Sequence, residues 1–166
     1  MHLSYVMTQE RGATDKLLTA LAERLQADGL RLAGIVQTNT ECYDNALCDM
    51  DVRVMPDGPI FRISQSLGAG SRGCRLNPDA LEQAVGHVSQ SLSMAKDQLP
   101  QLLIVNKFGK HEAEGRGFRP LIAEAMMAGI PVVTAVNPTN LSAFQEFAEG
   151  MGICLPGQMP ALLDWV

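Results

Sequence analysis

The sequence predicts an α/β protein of three layers, with a mainly parallel sheet, helices on both faces and a β-hairpin insertion. Two observations carry this. Short, continuous apolar runs such as "LSYV", "LLIV" and "PVVTAV" read as strands buried on both faces, the signature of parallel pairing. They alternate with segments whose apolar residues recur at helical spacing. The chain has 166 residues, without a composition break, repeat or low-complexity segment, so one domain over 1–166 is expected.

The elements follow in order. "LSYVM" (3–7) is a first buried strand. The next segment places Leu17, Leu18, Leu21, Ala22 and Leu25 on one helical face, and Gly29 is placed to end the helix. Residues 30–39 form a second strand that leaves polar groups at its C-terminal end. "DVRVM" and "IFRIS", joined by "PDGP", read as a hairpin. "SLGAGSRGCRL" is a glycine-rich loop. Asn77-Pro78 opens a helix with Asn as N-cap and Pro at its first position, and Leu81, Ala84, Val85, Val88, Leu92 and Ala95 make its apolar face. Residues 101–106 are a strand, followed by a loop over 106–118 and a helix from Pro120 to Gly129 carrying Leu121, Ile122, Ala125 and Met126. Residues 130–136 are another strand. Asn137-Pro138 repeats the capping device, with Leu141, Phe144, Phe147 and Met151 as the buried stripe, and the tail supplies a short strand and a terminal helix.

Composition excludes several classes. Hydrophobic residues make up 46% and charged residues 19%, a globular balance. A net charge of −5 argues against a nucleic-acid partner, which calls for basic surface to neutralise phosphates. No apolar stretch reaches the ~20 residues that span a bilayer, and the N-terminus lacks the pattern of a secretory leader, so no membrane insertion and a cytoplasmic location are expected. Cys42, Cys48, Cys74 and Cys154 form no CxxC pair, and buried or free thiols are expected. A zinc site on Cys42, Cys48 and a histidine is the alternative.

In folds of this class ligands sit beyond the C-terminal ends of the strands, which points to loops 8–14, 37–42 and 106–118. "GAGSRG" (68–73) matches GxGxxG, but it lies mid-chain, away from the first strand–helix turn, so a dinucleotide fingerprint is rejected. Gly68, Gly70 and Gly73, beside Ser71, Arg72 and Arg75, suit either an anion nest or a surface turn. "NKFG" (106–109) lacks the aspartate of a guanine-reading NKxD element, because Gly109 offers no acceptor side chain. "TQERGATDKLL" (8–18) stands where a phosphate loop would stand. Only Gly12 and Lys16 keep that loop's residue types, with Leu17 in place of its hydroxyl.

"RISQSLGAGSRGCRLNPDAL", "IVNKFGKHEAEGRGF" and "AMMAGIPVVTAV" together resemble a bacterial domain-of-unknown-function family often encoded near molybdate-transport genes. That family is similar, more distantly, to P-loop nucleoside triphosphatases first described from thermophiles. The resemblance implies a P-loop-NTPase-like fold. It also implies that Asn106 and Lys107 occupy the Asp-Glu positions of a Walker-B strand end, with Gly109, Lys110 and Glu112 matching its Gly-Lys pair and further Glu.

Magnesium calls for carboxylate and hydroxyl oxygens, which this reading finds replaced. The expected function is therefore binding of a small anion, a nucleotide phosphate or an oxyanion such as molybdate, without hydrolysis. Gly12, Lys16, Gly70, Ser71, Arg72, Arg75, Asn106, Lys107, Lys110 and Arg116 are the candidate binding residues, with Arg119 nearby. No catalytic residue, metal or cofactor is assigned. A salt-bridged structural turn, with Glu112 and Glu114 pairing to Lys110 or Arg116, is the competing account of 106–118. A divergent triphosphatase, an adaptor docking on a transporter subunit, and a homo-oligomer stay open.

Overall fold

The computed structural model describes residues 2–10, 12–40, 49–65 and 75–166. Its seven strands form one sheet in the order β4-β3-β2-β5-β6-β1-β7. β1 (Leu3–Val6), β2 (Leu32–Asn39), β5 (Leu102–Phe108), β6 (Val132–Val136) and β7 (Gly152–Leu155) pair in parallel. β3 (Met50–Val54) and β4 (Ile60–Arg62) add to the β2 edge as an antiparallel hairpin, the expected insertion. The architecture is thus α/β with a mainly parallel sheet, and β6 lies between β1 and β5.

Alternation along the strands feeds two cores. Val6, Leu102, Ile104 and Val133 pack against α1 (Ala13–Ala27) and α6 (Met159–Trp165) through Leu18, Leu21, Leu25 and Leu162. On the opposite face Tyr5, Ile35, Leu103, Val105 and Val132 meet α2 (Pro78–Leu92), α4 (Arg119–Met127) and α5 (Leu141–Ala148) through Leu81, Val88, Ile122 and Phe144. The Phe108 ring anchors the second core, edge-on to Phe144 at 5.2 Å and stacked with Phe147 at 5.5 Å.

Several sequence expectations need correction. β5 does not stop at Asn106 but runs to Phe108, and Lys110–Ala113 forms a short helix, α3, rather than loop. The reason is local: Glu112, three residues on, reaches back so that its Oε2 accepts the Gly109 N–H at 2.9 Å and holds the turn. Asn77 caps α2 as expected, its Oδ1 accepting the Ala80 N–H at 3.2 Å. The helix ends at Leu92, however, so Ala95 is exposed. Asn137 makes no side-chain cap, because a 3₁₀ turn over Pro138–Asn140 comes before α5. Met151 lies beyond α5 and is 37% exposed.

Candidate functional site

Two neighbouring strand ends and one helix start build the site. The pairing of β5 with β6 slips between Val105 and Phe108: Val105 faces Thr134, and Phe108 faces Val136. β5 therefore spends three residue steps where β6 spends two. The extra residue is a β-bulge at Asn106-Lys107, a device that re-aims side chains at strand ends.

Asn106 turns inward and is 1% exposed. Its Nδ2 donates to Asp15 Oδ1 at 2.9 Å and to Gln37 Oε1 at 3.3 Å, and its Oδ1 accepts the Gln37 N–H at 3.1 Å. Asp15, in the first turn of α1, is also buried, and its Oδ2 accepts from Asn39 Nδ2 at 2.8 Å. Gln37 Nε2 closes the network on Asn39 Oδ1 at 2.7 Å. A carboxylate thus stands on the helix and an amide on the strand. An acid at both positions would place two like charges in contact in a poorly solvated site. Sequence reasoning missed Asp15; its one legible signal was an acid in the first turn of an otherwise apolar helix face.

Lys107 borders two cavities. It is half-buried and borders a cavity of about 310 Å³ together with Thr8, Gly12 and Thr14 from the β1–α1 turn and Asn137 beyond β6. Among the described residues its side chain has no hydrogen bond or ion pair. Gly12 caps α1 in the left-handed conformation, at φ 77°, without a side-chain cap. The first N–H groups of the helix therefore lack an intrahelical partner, and the positive end of the helix dipole faces this turn. With Gly12 as the second glycine of a phosphate loop, the next two positions are Ala13 and Thr14. The sequence register that put Lys16 and Leu17 there is one turn too far along; Lys16 is exposed on α1 and is not among the residues lining the cavity.

The other candidates scatter. Lys110 and Arg75 border a second cavity, on the α2 side of Lys107. Arg116 pairs with Glu114 and lines a separate cleft between α2 and α4, away from Lys107. Arg119 lies over the Phe147 ring at 4.9 Å. Gly70, Ser71 and Arg72, like Cys42, Cys48 and Cys74, lie outside the described residues, and so do the anion-nest and zinc readings built on them. Cys154 is a free, exposed thiol. Among the described residues no three of His, Cys, Asp and Glu gather to hold a metal.

The glutamates of "KHEAEGRG" hold the turn. Glu112, 3% exposed, takes the Gly109 N–H on Oε2 and the Phe118 N–H on Oε1 at 3.1 Å. Burial raises its carboxyl above the ordinary value, opposed by those N–H groups. Glu82 on α2 accepts the Gly117 N–H at 2.9 Å and meets His111 Nε2 at 3.0 Å with the same oxygen, Oε1. The salt-bridged account thus describes Glu114 with Arg116 and Lys110, but not Glu112, which holds backbone N–H groups instead of a base, and Lys107 stands apart from it.

The strand order and the helices on both faces give the chain a nucleoside-triphosphatase-like α/β fold. A human cancer-related nucleoside triphosphatase, known from a solution structure, superposes with a TM-score of 0.63 at 15% identity, over 92% of this chain and 86% of that one. The chain belongs to the family described as "Protein of unknown function (DUF2478)", whose model matches residues 3–165. It is also 34% identical over 151 residues to "Molybdenum import ATP-binding protein ModC 2" of Bradyrhizobium diazoefficiens. That match takes in 91% of this chain but only 16% of the longer relative. No helix among the described residues is long and apolar enough to cross a membrane.

Proposed function

We propose that the protein binds a small anion, a nucleotide phosphate or an oxyanion such as molybdate, at the C-terminal ends of β1, β5 and β6, and does not hydrolyse it. The observation that carries this is the Lys107 ammonium, half-buried and without an acidic partner among the described residues, at the cavity that Gly12 and Thr14 border. A cation so placed, beside a helix start whose Ala13 N–H is taken by the Glu10 carbonyl at 3.3 Å but whose next N–H groups have no intrahelical partner, favours an oxyanion.

Thr14 keeps a hydroxyl at the loop position, but the acidic parts and the loop lysine that hydrolysis uses are replaced. Asn106 is neutral, and its one oxygen already accepts the Gln37 N–H. Both Asp15 oxygens accept amide hydrogens. Lys107 cannot orient a water as a glutamate would, and phosphoryl transfer is mostly positioning and charge stabilisation. The similarity to a molybdenum importer's ATP-binding protein supports both ligand classes and favours a second reading, an adaptor docking on a transporter subunit.

Thermal melts test the proposal with ATP, GTP, phosphate, sulfate, molybdate and tungstate, each with Mg²⁺ and with EDTA. At ~100 times its Kd a ligand stabilises by about 2.7 kcal/mol. The shift is expected to persist in EDTA and to vanish in Lys107→Ala. A shift that requires Mg²⁺, or turnover of ATP that Lys107→Ala abolishes, overturns the non-hydrolytic reading. Capture of one transporter subunit with no response to any anion establishes the adaptor instead.

A further inference from the structure

The cavity on the α2 side of Lys107 differs from the first. It measures about 240 Å³, and Ile35, Met50, Ile63, Leu76, Leu81 and Phe118 give it an apolar wall. These residues come from β2, β3, the segment after β4, the start of α2 and the turn before α4, so the hairpin insertion and the sheet close it jointly. The polar side chains at its base are already occupied. Asn106 and Gln37 bond to one another and to Asp15 or Asn39, and both Glu112 oxygens hold backbone N–H groups. The remaining charge at the mouth is positive. The Lys107 side chain lacks a partner among the described residues, and there Lys110 meets only the exposed Glu114 at 3.8 Å.

An apolar cavity without free polar groups does not hold water well, and about 150 Å³ already accommodates one benzene. Drug-sized pockets start at about 300 Å³, so this cavity suits something smaller. We infer that it is a second ligand site, for a small amphipathic carboxylate. An aromatic or branched aliphatic body of one ring's size lies against Ile63, Leu81 and Phe118, and its carboxylate meets Lys107 and Lys110 at the mouth. The site shares Lys107 with the first cavity, while its wall and Lys110 are its own.

Methyl-resolved NMR on the full chain tests this with benzoate, benzyl alcohol and acetate. Benzoate is expected to shift the methyl signals of Ile35, Ile63, Leu76 and Leu81. Benzyl alcohol, without the charge, and acetate, without the ring, are each expected to bind at least about tenfold more weakly, a difference of roughly 1.4 kcal/mol. Ile63→Phe, which fills the cavity, removes benzoate binding, and Lys110→Gln weakens it. The wild-type titration localises the site even where Ile63→Phe fails to fold. Benzoate shifts confined to other methyls, or equal affinity for benzyl alcohol, overturn the inference. Inorganic phosphate reports separately through signals near Gly12 and Thr14, and Lys110→Gln, which lies outside that cavity, is expected to weaken benzoate while leaving phosphate unchanged, so the two sites are told apart.

Discussion

Asn106 Nδ2 lies 2.9 Å from Asp15 Oδ1, joining residues 91 apart in sequence across the interface of β5 with the start of α1. The pair is neutral on the strand and anionic on the helix. Replacing the amide with a second acid reverses its sense. Asn106→Asp is expected to cost about 2–3 kcal/mol near neutral pH, through a lost hydrogen bond and a buried like-charge contact. The new carboxyl has a folded pKa raised above its unfolded value, so the variant regains stability as pH falls and the proton returns. Urea unfolding at pH 5 and pH 7.5 checks this; equal losses at both would remove the like-charge argument.

Glu112 supplies a pH dependence of its own. Burial raises its folded carboxyl above the ordinary value of 4.5, so between those two values the folded state binds more protons than the unfolded one. Its contribution is fully present below the unfolded pKa and is lost as pH rises through the folded pKa. Glu112→Gln is expected to flatten that stretch of the stability curve. It also lowers stability throughout, because one amide end opposes a backbone N–H that the carboxylate accepted. Unchanged slope in the variant would assign the pH dependence elsewhere.

Gly117 tests how tightly the turn is held. Its φ is +60°, and a Cβ there would meet Glu112 Oε1 at 2.3 Å. Gly117→Ala should therefore cost about 2–3 kcal/mol, combining backbone strain with displacement of the carboxylate. The change is measured by denaturant melts. A loss near the ~1 kcal/mol of ordinary backbone strain would mean that the carboxylate moves aside freely.

Arg116 separates the turn from the anion site. It pairs with Glu114 on the surface, an arrangement worth at most about 1 kcal/mol. Arg116→Ala is expected to leave the anion-induced melting shift intact while Lys107→Ala removes it. Equal loss in both would place Arg116 at the ligand.

The sheet and its hairpin were legible because each strand is a short apolar run bounded by turn residues and each long helix shows a clean apolar face, as with Leu81, Ala84 and Val88. The strand-end location of the polar residues was legible for the same reason. Less was legible where geometry depends on distant partners. Nothing local announces that Asp15 meets Asn106, and Glu112 reads as a surface charge until the N–H groups of Gly109 and Phe118 are seen to converge on it. Arg116 looks like Lys107 in sequence; only its neighbour Glu114 distinguishes them. The helix register also misled: Lys16 has the residue type of a phosphate-loop lysine, whereas the turn capped by Gly12 puts Ala13 and Thr14 in the corresponding places.

The slip of one residue between β5 and β6 has a bearing on how such a site changes over time. Asn106 and Lys107 face different surroundings, and Phe108 still reaches the aromatic core, only because the strand runs one step out of phase with its neighbour there. Shortening the chain by a single codon at this point would bring the two strands back into phase and force a choice between the polar pair and the ring. Point substitutions leave that phase intact, whereas descendants with a different length here would inherit the scaffold without this arrangement of side chains.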